Sequence, residues 1–125
     1  MDQIADLLTR IRNATAVKRS SVRTSFSGMK EAILTILKNE GFISSFEVIE
    51  EDGKKILEAV VSSQNAPIHL KKISKSGRRV YVKNREIPKP LRGMGTTIVS
   101  TSSGIVTGRE AAKKGLGGEL ICEIW

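Results

Sequence analysis

Two stretches of this 125-residue chain carry a long apolar stripe at helical spacing, and both lie before residue 40. Ile4, Leu7, Leu8 and Ile11 fall at i, i+3, i+4 and i+7, which predicts an amphipathic helix with Asp2 as its N-cap. Met29, Ala32, Ile33, Ile36 and Leu37 predict a second helix, stopped by Gly41 in a left-handed cap. Between them Val22, Thr24 and Phe26 alternate as a short strand. Residues 42–50 and 55–62 read as strands joined at Asp52-Gly53, a pair that tolerates the positive φ of a tight hairpin turn. Everything later is short and strand-like. Strands are predicted at residues 68–74, 78–83, 96–100, 105–107 and 120–125, with a turn at 75–77. Pro88, Pro90, Gly93 and Gly95 break the pattern. Thr107 and Glu110 form a capping-box sequence that opens a short helix ending at Gly115.

The expected fold class is therefore α+β, in two small lobes. Residues 1–64 give a helix-strand-helix-strand-strand lobe, and residues 65–125 a mostly β lobe with a short helix. The polar stretch 63–67, ending in Pro67, reads as the linker.

Charge separates the same two halves. Residues 1–65 hold nine Lys/Arg and nine Asp/Glu, whereas residues 66–125 hold twelve and four, so the second half carries the whole net charge of +8. No acid occurs from Ala59 through Arg85. A one-sided basic field points to a polyanionic partner, most often a nucleic acid; the plain alternative is a solvated basic surface.

Other classes lose support. No apolar run reaches the roughly 20 residues of a membrane span. The N-terminus lacks the basic start and long apolar centre of a secretory signal. Cys122 is the one cysteine and His69 the one histidine. An internal disulfide is excluded, and a zinc site or a histidine-based triad would have almost nothing to be built from. No cofactor is expected. A reducing compartment fits.

Within the basic half, Arg79, Tyr81 and Lys83 alternate with Val80 and Val82. Period two puts the valines on the core and the others outside, where tyrosine can stack on a base while the cations hold phosphates. An ordinary sheet surface is the alternative. Residues 100–104, Ser-Thr-Ser-Ser-Gly, set four hydroxyls and a glycine between Ile98-Val99 and Ile105-Val106. Hydroxyls both donate and accept, so they suit phosphates, ribose 2′-OH groups and base edges alike. The alternative is a turn whose hydroxyls cap their own backbone. Arg12 and Asn13, after the first stripe, can reach a phosphate or simply be solvated. Cys122 lies on the apolar face of the last strand, with Leu120 and Ile124. Gly115, Gly117 and Gly118 follow a helix instead of opening one, which argues against a dinucleotide loop.

The residues at 98–107, with Glu110-Ala111, Gly117-Gly118-Glu119, Cys122 and Trp125, resemble the closing signature of the bacterial-type small-subunit ribosomal protein eight family. The opening Ile4-Ala5-Asp6 with residues 8–14, and the stretches at 73–75, 79–82 and 86–88, resemble it too, so the likeness covers nearly the whole chain. Two positions depart from it: Ser103 stands where the family often has lysine, and Ser76 where it often has proline. The resemblance implies a primary binder of small-subunit (16S) ribosomal RNA, attached to an irregular helix of the central domain. It implies a structural and assembly role in the ribosome, in the cytoplasm or an organelle, without catalysis. It makes Ser100, Thr101, Ser102 and Gly104 the centre of the RNA site. Tyr81, Lys83 and Arg79 flank them, Cys122 lies beside them, and Thr9, Arg12 and Asn13 form a secondary surface. Small-subunit protein five is the implied protein neighbour.

Two rivals follow from the residues alone. One is a basic module for duplex DNA or messenger RNA; the short helix at 109–114, opening on a glycine, disfavours reading a major groove. The other is a small hydrolase using Ser100 or Ser102, for which no general base is in view.

Overall fold

The computed structural model describes residues 3–16, 21–61, 69–75, 77–88 and 95–125. The expected Asp2 cap, the linker at 63–67 with its lobe boundary, Ser76, Pro90 and Gly93 lie outside them. The chain divides into two compact units, Gln3–Ile68 and His69–Trp125. Among the described residues no helix is long and apolar enough to cross a membrane.

In the first unit the predicted stripe becomes α1, Gln3–Ala16, which buries Leu7, Leu8, Ile11 and Ala14. The strand β1 is Ser21–Ser25 and the second helix α2 is Gly28–Asn39. Ser27 caps α2, its hydroxyl accepting from the Lys30 N–H at 3.1 Å. Gly41 ends it at φ 82. There the Gly41 N–H reaches the Lys38 carbonyl and the Phe42 N–H the Leu37 carbonyl, the double closure of a Schellman motif. That closure corrects the next strand: Phe42 and Ile43 both direct their N–H groups at Leu37, so β2 begins only at Ser45 and runs Ser45–Glu51. The strand β3, Lys54–Val60, lies between β1 and β2, all antiparallel. Asp52 at φ 54 and Gly53 at φ 75 make the predicted hairpin turn.

One buried residue of α2 was not expected. Lys30 is 3% exposed, while Met29 and Ala32 are only half-buried. Its ammonium donates to the Thr24 hydroxyl at 3.1 Å and to the Ser25 hydroxyl and carbonyl at 3.1 and 3.2 Å. A buried lysine survives only when its donors are satisfied, and here they tie α2 to the end of β1.

The second unit contains β4 (Leu70–Lys72), β5 (Tyr81–Val82), a 3-10 turn (Asn84–Glu86), β6 (Thr96–Thr101), β7 (Gly104–Thr107), α3 (Gly108–Lys113) and β8 (Gly118–Ile124). The order is β4-β8-β6-β7, with β5 also paired to β8, and every pair is antiparallel. Thr107 caps α3 as predicted, accepting from the Glu110 N–H at 3.1 Å. A Cβ on Gly108 would lie 1.9 Å from the Thr97 hydroxyl, so only glycine lets α3 sit this low on β6.

Two strands are shorter than predicted. β4 covers three residues and β5 two, because Ile73 and Ser74 both direct their N–H groups at one carbonyl of β8, and Lys75 and Arg78 turn back on each other before Val80 meets Leu120. Lys75 and Arg78 bond each other twice, at 2.9 and 3.0 Å. The third correction concerns β8. Cys122 stands opposite Ile98, but Leu120 stands opposite Val99, so Ile121 is an extra residue, a β-bulge. Its carbonyl accepts from both Ile73 and Ser74. Ile98 and Val99 point to opposite faces, so Leu120 and Cys122 do not share the single face expected of strict alternation.

Candidate nucleic-acid interface

The hydroxyl stretch folds as a hairpin tip. β6 ends at Thr101 and β7 begins at Gly104, leaving Ser102 and Ser103 as the two exposed turn residues. Neither takes a positive φ; Gly104 does, at 105°. The ladder resumes directly beyond these two residues, with Thr101 opposite Gly104 and Ser100 opposite Ile105. Thr101 holds it together. Its hydroxyl donates to the Gly104 carbonyl at 2.9 Å and accepts the Ser103 N–H at 3.1 Å. Thr101 therefore matches the self-capping alternative, while Ser102 stays exposed on the turn.

Ser100 belongs to the strand, and its register defines the site. It faces Ile105 on β7 and Glu119 on β8, and Glu119 in turn faces Tyr81 on β5. Directly opposed residues of a sheet share a face. Ile105, Ser100, Glu119 and Tyr81 thus form one row across four strands. Tyr81 is 70% exposed. Arg79 and Lys83 are exposed and Val80 and Val82 half-buried, so the predicted alternation holds although only Tyr81 and Val82 are in the ladder.

Glu119 fixes this row in place. Its Oε2 accepts the Ser74 hydroxyl and lies 3.1 Å from the Arg79 guanidinium. Ser74 is fully buried, and its hydroxyl also accepts the Val80 N–H at 3.2 Å. One serine thereby joins the start of β5 to β8. Arg79 spends part of its charge on Glu119, so it offers less to a phosphate than its sequence position implied. Lys83 is exposed and its N–H is held by Glu86 at 2.9 Å.

The glycine pair before Glu119 has a packing role. A Cβ on Gly118 would lie 2.0 Å from the Ser100 carbonyl oxygen, and one on Gly117 2.4 Å from that of Val82. β8 fits between β5 and β6 at this end only because both positions lack side chains. Ser74, Glu119, Gly117 and Gly118 were not anticipated as site residues. The available signal was an isolated acid following two glycines in a basic half.

Cys122 is a core residue, as its place on the apolar side of the last strand implies. It is 0% exposed and stands between Ile98 and Lys72, so its side chain has no surface to offer a bound molecule. Burial pushes its thiol up to about 12, with Lys72 opposing and Glu123 adding. His69, the other chemically versatile residue, stacks on Trp125 with ring centroids 5.8 Å apart.

The remaining predicted residues lie in the first unit. Thr9, Arg12 and Asn13 fall on one side of α1, with Arg12 and Asn13 exposed and Thr9 half-buried.

Comparison with known proteins agrees across the chain. A family model described as Ribosomal protein S8 matches residues 2–125. The small ribosomal subunit protein uS8 of Thermus thermophilus is 48% identical over 135 residues, spanning 99% of this chain and 98% of the relative. Those of Kosmotoga olearia and Alkaliphilus metalliredigens are 46% and 49% identical, again over 99% of this chain and 98% and 97% of theirs.

Proposed function

The chain belongs to the ribosomal protein S8 family, whose members are structural, non-enzymatic constituents of the small ribosomal subunit, and from that premise we propose that its second unit binds 16S ribosomal RNA through the row Tyr81–Glu119–Ser100 and the adjoining Ser102 turn. The target is an irregular helix of the central domain, and the consequence of binding is assembly of the subunit platform. The supporting observation is that row. Fixed by β8, it presents an aromatic ring, a hydroxyl and a carboxylate on one face, next to a turn that carries a further exposed hydroxyl.

A-form RNA has a deep, narrow major groove closed to side chains, so its shape, its 2′-OH groups and its disrupted pairs are what a protein reads. The neutral turn suits such contacts. Lys83, and the remaining charge of Arg79, supply attraction to phosphate. Cys122 acts by holding β8, without contact. Thr9, Arg12 and Asn13 on α1 form a second, weaker RNA-facing surface, which the absence of a basic residue in the last turn of that helix leaves to Arg12. Small-subunit protein five is the proposed protein neighbour. The named relatives are bacterial, which supports a ribosome of the cytoplasm as the setting.

Hydroxyl-radical footprinting on 16S ribosomal RNA tests the reading. One central-domain helix should be protected, and an excess of folded RNA should displace the bound helix where duplex DNA does not. Equal competition by DNA would favour the general basic module and sink the proposal.

A further inference from the structure

The first unit's sheet ends in a strand whose outer side is unpaired. β2 bonds β3 on one side, and among the described residues no strand meets the other. The two-residue turn at Asp52-Gly53 makes Glu51 and Lys54 a hydrogen-bonded pair, and antiparallel pairs alternate from there. Ser45, Glu47, Ile49 and Glu51 therefore bond β3, whereas Phe46, Val48 and Glu50 aim their N–H and C=O groups away from it. Val48 also exposes 43% of its surface, an unusual waste for a valine on the helix-facing side of a sheet.

The charges along this edge are equally uneconomical. Glu50 and Glu51 stand opposite Lys55 and Lys54, but Glu47 stands directly opposite Glu58. Like charges so placed destabilise a sheet. Arg23 relieves only part of this: it bonds Glu51 and lies 3.3 Å from Glu58. Among the described residues no cation pairs with Glu47.

We propose that the free edge of β2 receives an extended, lysine- or arginine-bearing segment of another protein of the small subunit, which adds a fourth strand at Phe46, Val48 and Glu50. Main-chain bonds supply the register, Val48 gains an apolar cover, and Glu47 acquires the missing cation. RNA is unsuited to this edge, because a phosphate would meet Glu47 and Glu50. The inference rests on membership of the small subunit and is independent of the RNA site on the second unit.

The test uses assembled small subunits in which position 48 carries a benzophenone photo-crosslinker. Irradiation should attach it to a basic, extended segment of a neighbouring protein. Glu47→Lys should lower that yield at least fivefold while the protein still enters the subunit. The Val48 amide should also exchange rapidly in the isolated protein and at least tenfold more slowly in the subunit. Attachment to ribosomal RNA, no attachment, a yield that ignores Glu47→Lys, or an amide already protected in the free protein would each overturn the proposal.

Discussion

Ser100 on β6 and Tyr81 on β5 face the same residue of β8, Glu119. Two interstrand spacings put them about 10 Å apart. Their separation is set by backbone hydrogen bonds, not by their own side chains, so either can be altered without moving the other.

The hydroxyl turn and the cations should act on different parts of the binding energy. Ser102→Ala removes an exposed hydroxyl that no described residue uses. It should weaken specific binding to a central-domain RNA fragment by roughly 1–3 kcal/mol with little change in salt dependence. Lys83→Ala should leave specificity nearly intact and reduce the slope of log K against log salt by about one. Filter binding across a salt series separates the two, and identical effects on the slope would refute the division.

Ser74→Ala tests the brace beneath the row. The substitution leaves the half-buried Val80 N–H without its acceptor and removes a donor from Glu119, which should cost about 1–3 kcal/mol. Urea unfolding should show a lower midpoint at unchanged slope. Folding without that loss would mean Glu119 is held by other means.

Glycines at two positions should differ sharply. Gly118→Ala drives a Cβ into the Ser100 carbonyl oxygen, a backbone atom that cannot step aside, and should cost at least about 3 kcal/mol together with RNA binding. Gly53→Ala meets nothing within 4 Å but keeps a φ of 75°, so about 1 kcal/mol is expected. Thermal unfolding of both variants ranks them; the reverse order would contradict the close approach of β8 and β6.

Cys122 predicts a pH dependence with a definite sign. Its ordinary value of 9.0 is pushed up to about 12 by burial, so the unfolded chain releases the proton first. The thiol contributes nothing to pH dependence below about pH 9. Between there and about 12 the folded state binds more protons than the unfolded one, and stability falls by up to about 1.4 kcal/mol per pH unit. Comparing wild type with Cys122→Val over that window isolates this slope. A thiol reagent at pH 8 should react only after unfolding.

Much of this was readable beforehand where the cause is local. The α1 stripe, the Gly41 and Thr107 caps and the Asp52-Gly53 turn each depend on residues within one or two turns of chain, and each stands where the spacing placed it. The misplacements share another cause. Residues 42 and 43 look like strand but give their N–H groups to the end of α2. Residues 78–80 look like strand, but Arg78 bonds back to Lys75 and the Val80 N–H goes to the Ser74 hydroxyl. Leu120 and Cys122 look like one face, yet Ile121 inserts a bulge between them. Each depends on a partner distant in sequence or on competition for a single acceptor.

Sequence alone settled the α+β class, the concentration of positive charge after residue 65 and the hydroxyl-rich hairpin, because periodicity, charge and turn chemistry are properties of neighbouring residues. Tertiary structure alone decided which hydroxyls are available and that Ser100 and Tyr81 meet across Glu119. Those outcomes follow from strand register, and register is fixed by pairings between residues dozens of positions apart that no local pattern encodes.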